Sequence, residues 1–331
     1  KAAHHPADMS KPEEIEALAL GHAEEAARIM RGQVEASRRM VLDALIAMNR
    51  VRAGACLMRL LILGDTHFDA WFARDGDPLA PIARRLDDLD ALIILGDLCG
   101  DPERNWAAVF AHLSMMMDPA KIWVLPGNHD YYGFRLDGDA RLREIAEAAG
   151  VNFLQKTALV LGGVRFLCCT LWSDFRLLGD QAAGMRAAAE AMNDYDEIRT
   201  SAGGPLITPE DTLAVFRDHL AWLTAEIGKP FPGPTAVLTH HAPSPSVAGK
   251  LDRISPAYGS DLDAWIRQRG PDLWLFGHTH RRLSATVGGT RIRNVSVGTR
   301  KEVEWFRHEE VLLSFVLDTE DLLRRTVSGG Y

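Results

Sequence analysis

Apolar residues in this chain fall into short unbroken runs. Longer stretches between them repeat apolar positions every three or four residues. The runs Leu60–Leu63, Ala91–Leu95, Ile122–Leu125, Val164–Cys169, Thr235–Thr239 and Asp272–Phe276 read as buried strands. Further β-rich stretches are Ala285–Val287, Thr290–Val297 and Glu310–Leu317. Helical spacing is predicted near 78–88, 104–116, 138–149, 182–198, 209–227 and 260–269. Strands alternating with helices predict a layered α/β domain, with ligands bound by the loops that follow the strands. The less regular segment 174–208 combines the helical "QAAGMRAAAEAMNDYDEI" with the loop "TSAGGPLI" and is expected to be a lid or insertion over the site.

Ahead of all this, residues 10–49 read as one long helix. Ser10 and Glu13 suit a capping box, and Ile15, Leu18, Ala26, Ile29, Val34, Met40, Val41, Leu45 and Met48 mark its apolar positions. "RVRAGAC" breaks that pattern before "MRLLILGD" opens the first strand. The expected division is a helical extension at 1–57, a candidate surface for self-association or a protein partner through 10–49, and a domain at 58–331.

Composition narrows the class. The chain has 331 residues, 47% hydrophobic and 25% charged, which is ordinary for a globular protein. A formal net charge of -8 gives no general footprint for long nucleic acid. No apolar run approaches the roughly 18 residues of a membrane span and no signal peptide is visible. Cys56, Cys99, Cys168 and Cys169 form neither a disulfide framework nor a zinc knuckle, so they read as reduced thiols of a cytoplasmic protein. His4 and His5, in "KAAHHPADM", are given no role.

The chemistry lies where the strands end. "GDTH" supplies Asp65 and His67, "GD" supplies Asp97, and "PGNHD" supplies Asn128, His129 and Asp130. "HHAP" supplies His240 and His241, and "GHTH" supplies His278 and His280. Singly, each reads best as a polar turn or a helix cap. Together, five β-to-loop junctions deliver Asp, Asn and His to one edge of a parallel sheet. A cysteine-free N/O donor set suits Mn, Fe or Zn better than Ca or Mg. Seven or more donors exceed the needs of one ion and fit two ions about 3.5–4 Å apart sharing a carboxylate. Strand alternation allows only one of His240 and His241 to face the site and does not say which.

The ordered series "GDTH", "GD", "GNHD", "HH" and "GHTH" resembles the calcineurin-like metallophosphoesterases over residues 58–300. "TLWSDF", "NDYDEI", "THHAPS" and "DLWLFGHTH" look like a bacterial and phage branch of predicted phosphohydrolases, which does not specify a substrate. The resemblance implies a four-layer α/β/β/α sandwich and a dinuclear centre. In it Asp65 and His67 bind the first metal, Asp97 bridges, and Asn128 binds the second. His129 stands just outside as acid or transition-state stabiliser, oriented by Asp130. His240 and His278 bind the second metal and His280 the first. The implied reaction is in-line attack of a metal-bound hydroxide on a phosphoester, with two divalent ions as cofactor, Mn first and Fe, Zn or Ni as alternatives.

A small phosphodiester or nucleotide is expected ahead of a phosphomonoester. A nuclease of the same fold, or a non-catalytic scaffold acting through its N-terminal helix, are the alternatives. Arg281, Trp172 and Tyr131 are candidate substrate contacts: the guanidinium for a non-reacting phosphate oxygen, the rings for a flat group. No P-loop or dinucleotide fingerprint occurs.

Overall fold

The structure, a computed structural model, describes residues 57–328. The helix expected over 10–49 lies outside them.

The first sheet is built on β1 (Arg59–Leu63), β2 (Ala91–Leu95), β3 (Ile122–Leu125) and β4 (Asn152–Phe153), all parallel. The second contains β5 (Thr157–Leu161), β6 (Val164–Cys169), β7 (Thr235–Thr239), β8 (Leu273–Phe276), β9 (Ser284–Val287) and β10 (Thr290–Asn294). In it, β6, β7, β8 and β10 are parallel, with β5 and β9 antiparallel on the edges. The chain returns to the first sheet with β11 (Val316–Asp318), antiparallel to β1. With flanking helices the two mixed sheets form the four-layer α/β/β/α sandwich.

The inner strands form because their runs are apolar on both faces: Leu60–Leu63, Ala91–Leu95 and Phe276 have essentially no exposure. Each such Leu or Ile side chain contributes roughly 1.5–3 kcal/mol on burial. Parallel pairing sends the ends of β1, β2 and β3 to one edge of their sheet and those of β7 and β8 to one edge of theirs. The two edges are stitched together where Gly64 N–H donates to the Val295 carbonyl (3.0 Å) and Val297 N–H to the Gly64 carbonyl (2.8 Å).

Helix 209–227 forms as the sequence predicts, with Pro209 in its first turn and a Thr208–Asp211 capping box. Three expectations are corrected. The β-rich reading of Glu310–Leu317 fails, because His308–Leu313 is a helix with Glu309 and Glu310 in its first turn, and only Val316–Asp318 is a strand. A short apolar run has no period of its own to distinguish the two. The helix near 78–88 is a 3-10 turn, Ala80–Arg85, where Pro81 disfavours a longer α-helix. The helix over 182–198 is two, Gln181–Ala191 and Asp194–Glu197. Among the described residues no helix is long and apolar enough to cross a membrane.

Candidate metal centre

Five of the motif residues hold left-handed backbone: Asp65 (φ 57°), His67 (42°), Asp97 (56°), His278 (63°) and His280 (50°). Such conformations cost about 1–3 kcal/mol each, and Asp and His are among the residues that tolerate them best. Hydrogen bonds hold them. Asp65 N–H donates to the Gly96 carbonyl (2.9 Å), His67 N–H to the Asp97 carbonyl (2.9 Å), and His278 N–H to Asp65 Oδ1 (2.8 Å). The glycines beside them permit close approach: a Cβ on Gly127 would overlap the Asp97 carboxylate, and one on Gly96 the His240 ring.

Two donor clusters result, Asp65, His67, Asp97 and His280 in one, Asp97, His240 and His278 in the other. Asp97 belongs to both and divides its oxygens between them. Its Oδ2 lies 3.6 Å from His67 Nε2, and its Oδ1 lies 3.3 Å from His240 Nε2. Asn128 Oδ1 joins the second group, 3.0 Å from His240 Nε2. His240 is therefore the member of the "HH" pair that faces this cluster, with its Nδ1 2.8 Å from the Leu95 carbonyl. His241 is buried beside Trp172 and His278.

Two features fit cations here. His67 Nε2 and His280 Nε2 face each other at 3.1 Å, a distance at which two imidazole lone pairs repel unless a proton or cation lies between them. His278 Nε2 is buried without a hydrogen-bond partner among the described residues. A buried nitrogen lone pair left unpaired is costly, and a metal would use it.

The charges are strongly interdependent. Burial disfavours a charged Asp97, but the imidazoles of His240 and His129 outweigh it and hold the carboxyl well below its usual range. Burial likewise opposes a charged Asp65, and His280 overcomes it. Without metal, Asp97 lifts His240 to about 9 and Asp65 lifts His280 to about 11, both against burial. Burial together with His241 and His240 pushes His278 well down, leaving it neutral and ready to donate a lone pair.

Asp130 does not contact His129 in the way the resemblance implies. It does not hydrogen-bond to the His129 ring. Its two oxygens accept from the backbone N–H groups of Asp97 (2.8 Å), Leu98 (3.0 Å), Cys99 (3.2 Å) and Gly127 (2.8 Å), and from the Trp106 indole (3.1 Å). It ties the "GD" loop to the "GNHD" loop. His129 is placed instead by its own N–H, which donates to Asp97 Oδ1 (2.9 Å), and by stacking on Tyr132 at 4.2 Å.

A cavity of about 350 Å³ opens over the clusters, lined by Asp97, Asn128, His129, His278 and His280 and, further out, by Met192, Asp252, Tyr258, Arg281 and Glu302. Arg281 thus reaches it, but its NH1 donates to the carbonyl of Ala248 (2.9 Å). Trp172 and Tyr131 do not line it. They are 2% and 1% exposed and pack beneath the loops, Tyr131 donating to Asp139. The aromatic lining is Tyr132 and Tyr258. Cys99 is buried and its thiol pushed up by burial, so it is no ligand. Segment 174–208 contributes Ala191, Met192 and Asn193 to the lining.

The profile of the family described as calcineurin-like phosphoesterase matches residues 58–282. The chain belongs to that family. It is accordingly a phosphoester hydrolase, and the Asp/His clusters are a candidate dinuclear centre of a metallophosphoesterase. Among solved structures, a phosphopantetheinyl hydrolase from Mycobacterium tuberculosis is 19% identical, covering 78% of this chain and 94% of that one, at a TM-score of 0.58. A dimetal phosphatase from Danio rerio is 15% identical over 73% and 88%, at 0.44. The first of these likenesses speaks to fold and to nothing finer. No curated protein matches the sequence.

Glu302 lies beyond the family match and was not anticipated from the sequence. It accepts from His280 Nδ1 at 2.8 Å and from Thr299 N–H and Oγ1 at 2.8 and 2.9 Å. The hydrogen bond from His280 pulls its carboxyl down to about 2. A carboxylate behind an imidazole fixes the tautomer that turns Nε2 inward. Glu302→Ala is expected to weaken Mn²⁺ binding at the cluster that contains His280 by about 10- to 100-fold, the range seen for such partners. A competitive chelator titration measures it, and an unchanged affinity would refute the assignment.

Proposed function

We propose that this protein is a dinuclear metal-dependent phosphodiesterase acting on small substrates. Asp65, His67 and His280 hold the first ion, Asn128, His240 and His278 the second, and Asp97 both. The observation that carries the reading is the division of the Asp97 oxygens between two donor clusters. The N/O donor set favours Mn, with Fe, Zn or Ni as alternatives. When bound, such a pair supplies Lewis acidity toward the phosphoryl oxygens and a water of lowered pKa.

The chain's own residues supply the rest. Asp130 keeps the two loops in register so that Asp97 Oδ1 and Asn128 Oδ1 both lie near His240 Nε2. His129 stands at the cavity wall and donates a ring N–H to the ester oxygen that leaves, stabilising charge there as the bond to phosphorus breaks. Tyr132 keeps that ring upright by stacking.

The preference for a diester rests on charge. Arg281 is the sole Arg or Lys among the described residues lining the cavity, and it is engaged with a backbone carbonyl, while Asp252 and Glu302 add negative charge. A diester carries one negative charge. A monoester carries about 1.5–2 at neutral pH and needs more positive partners. The same balance makes long nucleic acid a poor fit.

Assayed with Mn²⁺, bis-p-nitrophenyl phosphate is expected to give a higher kcat/KM than p-nitrophenyl phosphate, by about tenfold for each 1.4 kcal/mol of difference in transition-state binding. The opposite order would make it a monoesterase. No turnover of either with Mn²⁺, Fe²⁺, Zn²⁺ or Ni²⁺ would favour a scaffold.

A further inference from the structure

Asn128 has a symmetry problem. A side-chain amide carries an oxygen at one end and an NH₂ at the other, and only the oxygen can hold a cation. On its own loop the Asn128 NH₂ reaches only the Tyr132 hydroxyl, at a long 3.4 Å. The structure supplies the decision from far along the chain. Asp194, on the short helix Asp194–Glu197, is 3% exposed, and its Oδ1 accepts from Asn128 Nδ2 at 2.7 Å. With the NH₂ captured, Asn128 Oδ1 is turned toward His240 Nε2. The same Asp194 oxygen accepts from the Tyr132 hydroxyl at 2.6 Å, and Tyr132 is the ring on which His129 stacks.

We infer that Asp194 is a positioning residue for the second metal site. Segment 174–208 is then part of the centre's framework and not only a cover over its cavity. This rests on the two-metal reading above. One carboxylate sets the amide that contributes to the second donor group and anchors the ring behind His129. The residues just before it, Ala191, Met192 and Asn193, line the cavity, so the segment contacts both the bound substrate's space and the ligand shell.

The test is Mn²⁺ stoichiometry and affinity, measured by equilibrium dialysis and metal analysis on the whole chain. Wild type is expected to bind two ions. Asp194→Ala is expected to bind the first as before and the second about 10- to 100-fold more weakly, as for other residues that orient a ligand. Asp194→Asn, whose oxygen still accepts from Asn128, should recover most of that loss.

A double variant separates positioning from general support of the fold. In Asn128→Asp both ends of the side chain are oxygen, so orientation no longer matters. The double variant Asn128→Asp/Asp194→Ala, which also avoids the clash of two carboxylates, should bind its second ion better than Asp194→Ala does. Two ions bound by Asp194→Ala at wild-type affinity would overturn the inference and leave the two-metal reading standing. So would a double variant no better than Asp194→Ala. One ion bound by wild type would overturn both.

Discussion

Asp97→Asn is expected to abolish turnover while leaving the protein folded. The substitution is isosteric. Its remaining oxygen can still accept the His129 N–H that Asp97 Oδ1 accepts, and the Asp97 N–H still reaches Asp130. What disappears is a buried negative charge that two donor clusters share. Each cluster is left with one anionic oxygen fewer, and neither end of the replacement can serve both. Losing several kcal/mol of transition-state charge stabilisation corresponds to a fall of at least about 10³-fold in kcat. Bound Mn²⁺ should fall below two per chain, and the far-UV circular dichroism should stay as in wild type. Activity within tenfold of wild type would mean that the centre does not operate through a shared carboxylate.

His129→Ala should behave differently. The ring belongs to neither donor cluster, yet lies 4.7 Å from the His67 ring and forms part of the cavity wall. Two ions should still bind at near wild-type affinity. The rate should drop by about 10²–10⁴-fold, the usual yield of a positioned acid or base. The drop should be largest for substrates whose leaving oxygen is most basic, because those need the proton most. A p-nitrophenyl ester should therefore lose less than an alkyl ester of the same phosphate. Equal losses on both would remove His129 from the leaving-group side. A loss of metal in parallel with rate would move it into the ligand shell.

Much of this site is legible in the linear order of residues. Continuous apolar runs can only be buried strands or buried helix segments, and the Gly-Asp, Gly-Asn-His and Gly-His pairs that follow them mark where backbone must turn tightly beside a polar group. That suffices to name Asp65, His67, Asp97, Asn128, His278 and His280. The choice of His240 over His241 came from resemblance; in the structure it is His240 Nε2 that lies near Asp97 and Asn128.

What failed shares one cause. The resemblance implied that Asp130 orients His129, but its carboxylate is buried among N–H donors of two loops and an indole from another helix. Tyr131 and Trp172 sit beside the motifs in sequence and beneath them in space.

The sequence by itself determined the layered architecture and the edge at which the polar residues gather, because burial and turn formation depend on a residue and its near neighbours. Only the tertiary structure decided how the oxygens of Asp97 are divided, which end of Asn128 faces inward and what stands behind His280. Those depend on hydrogen bonds between groups 66 positions apart for Asn128 and Asp194, and 22 for His280 and Glu302. A donor chooses its acceptor by distance and angle, and no local pattern encodes where two separate loops will meet.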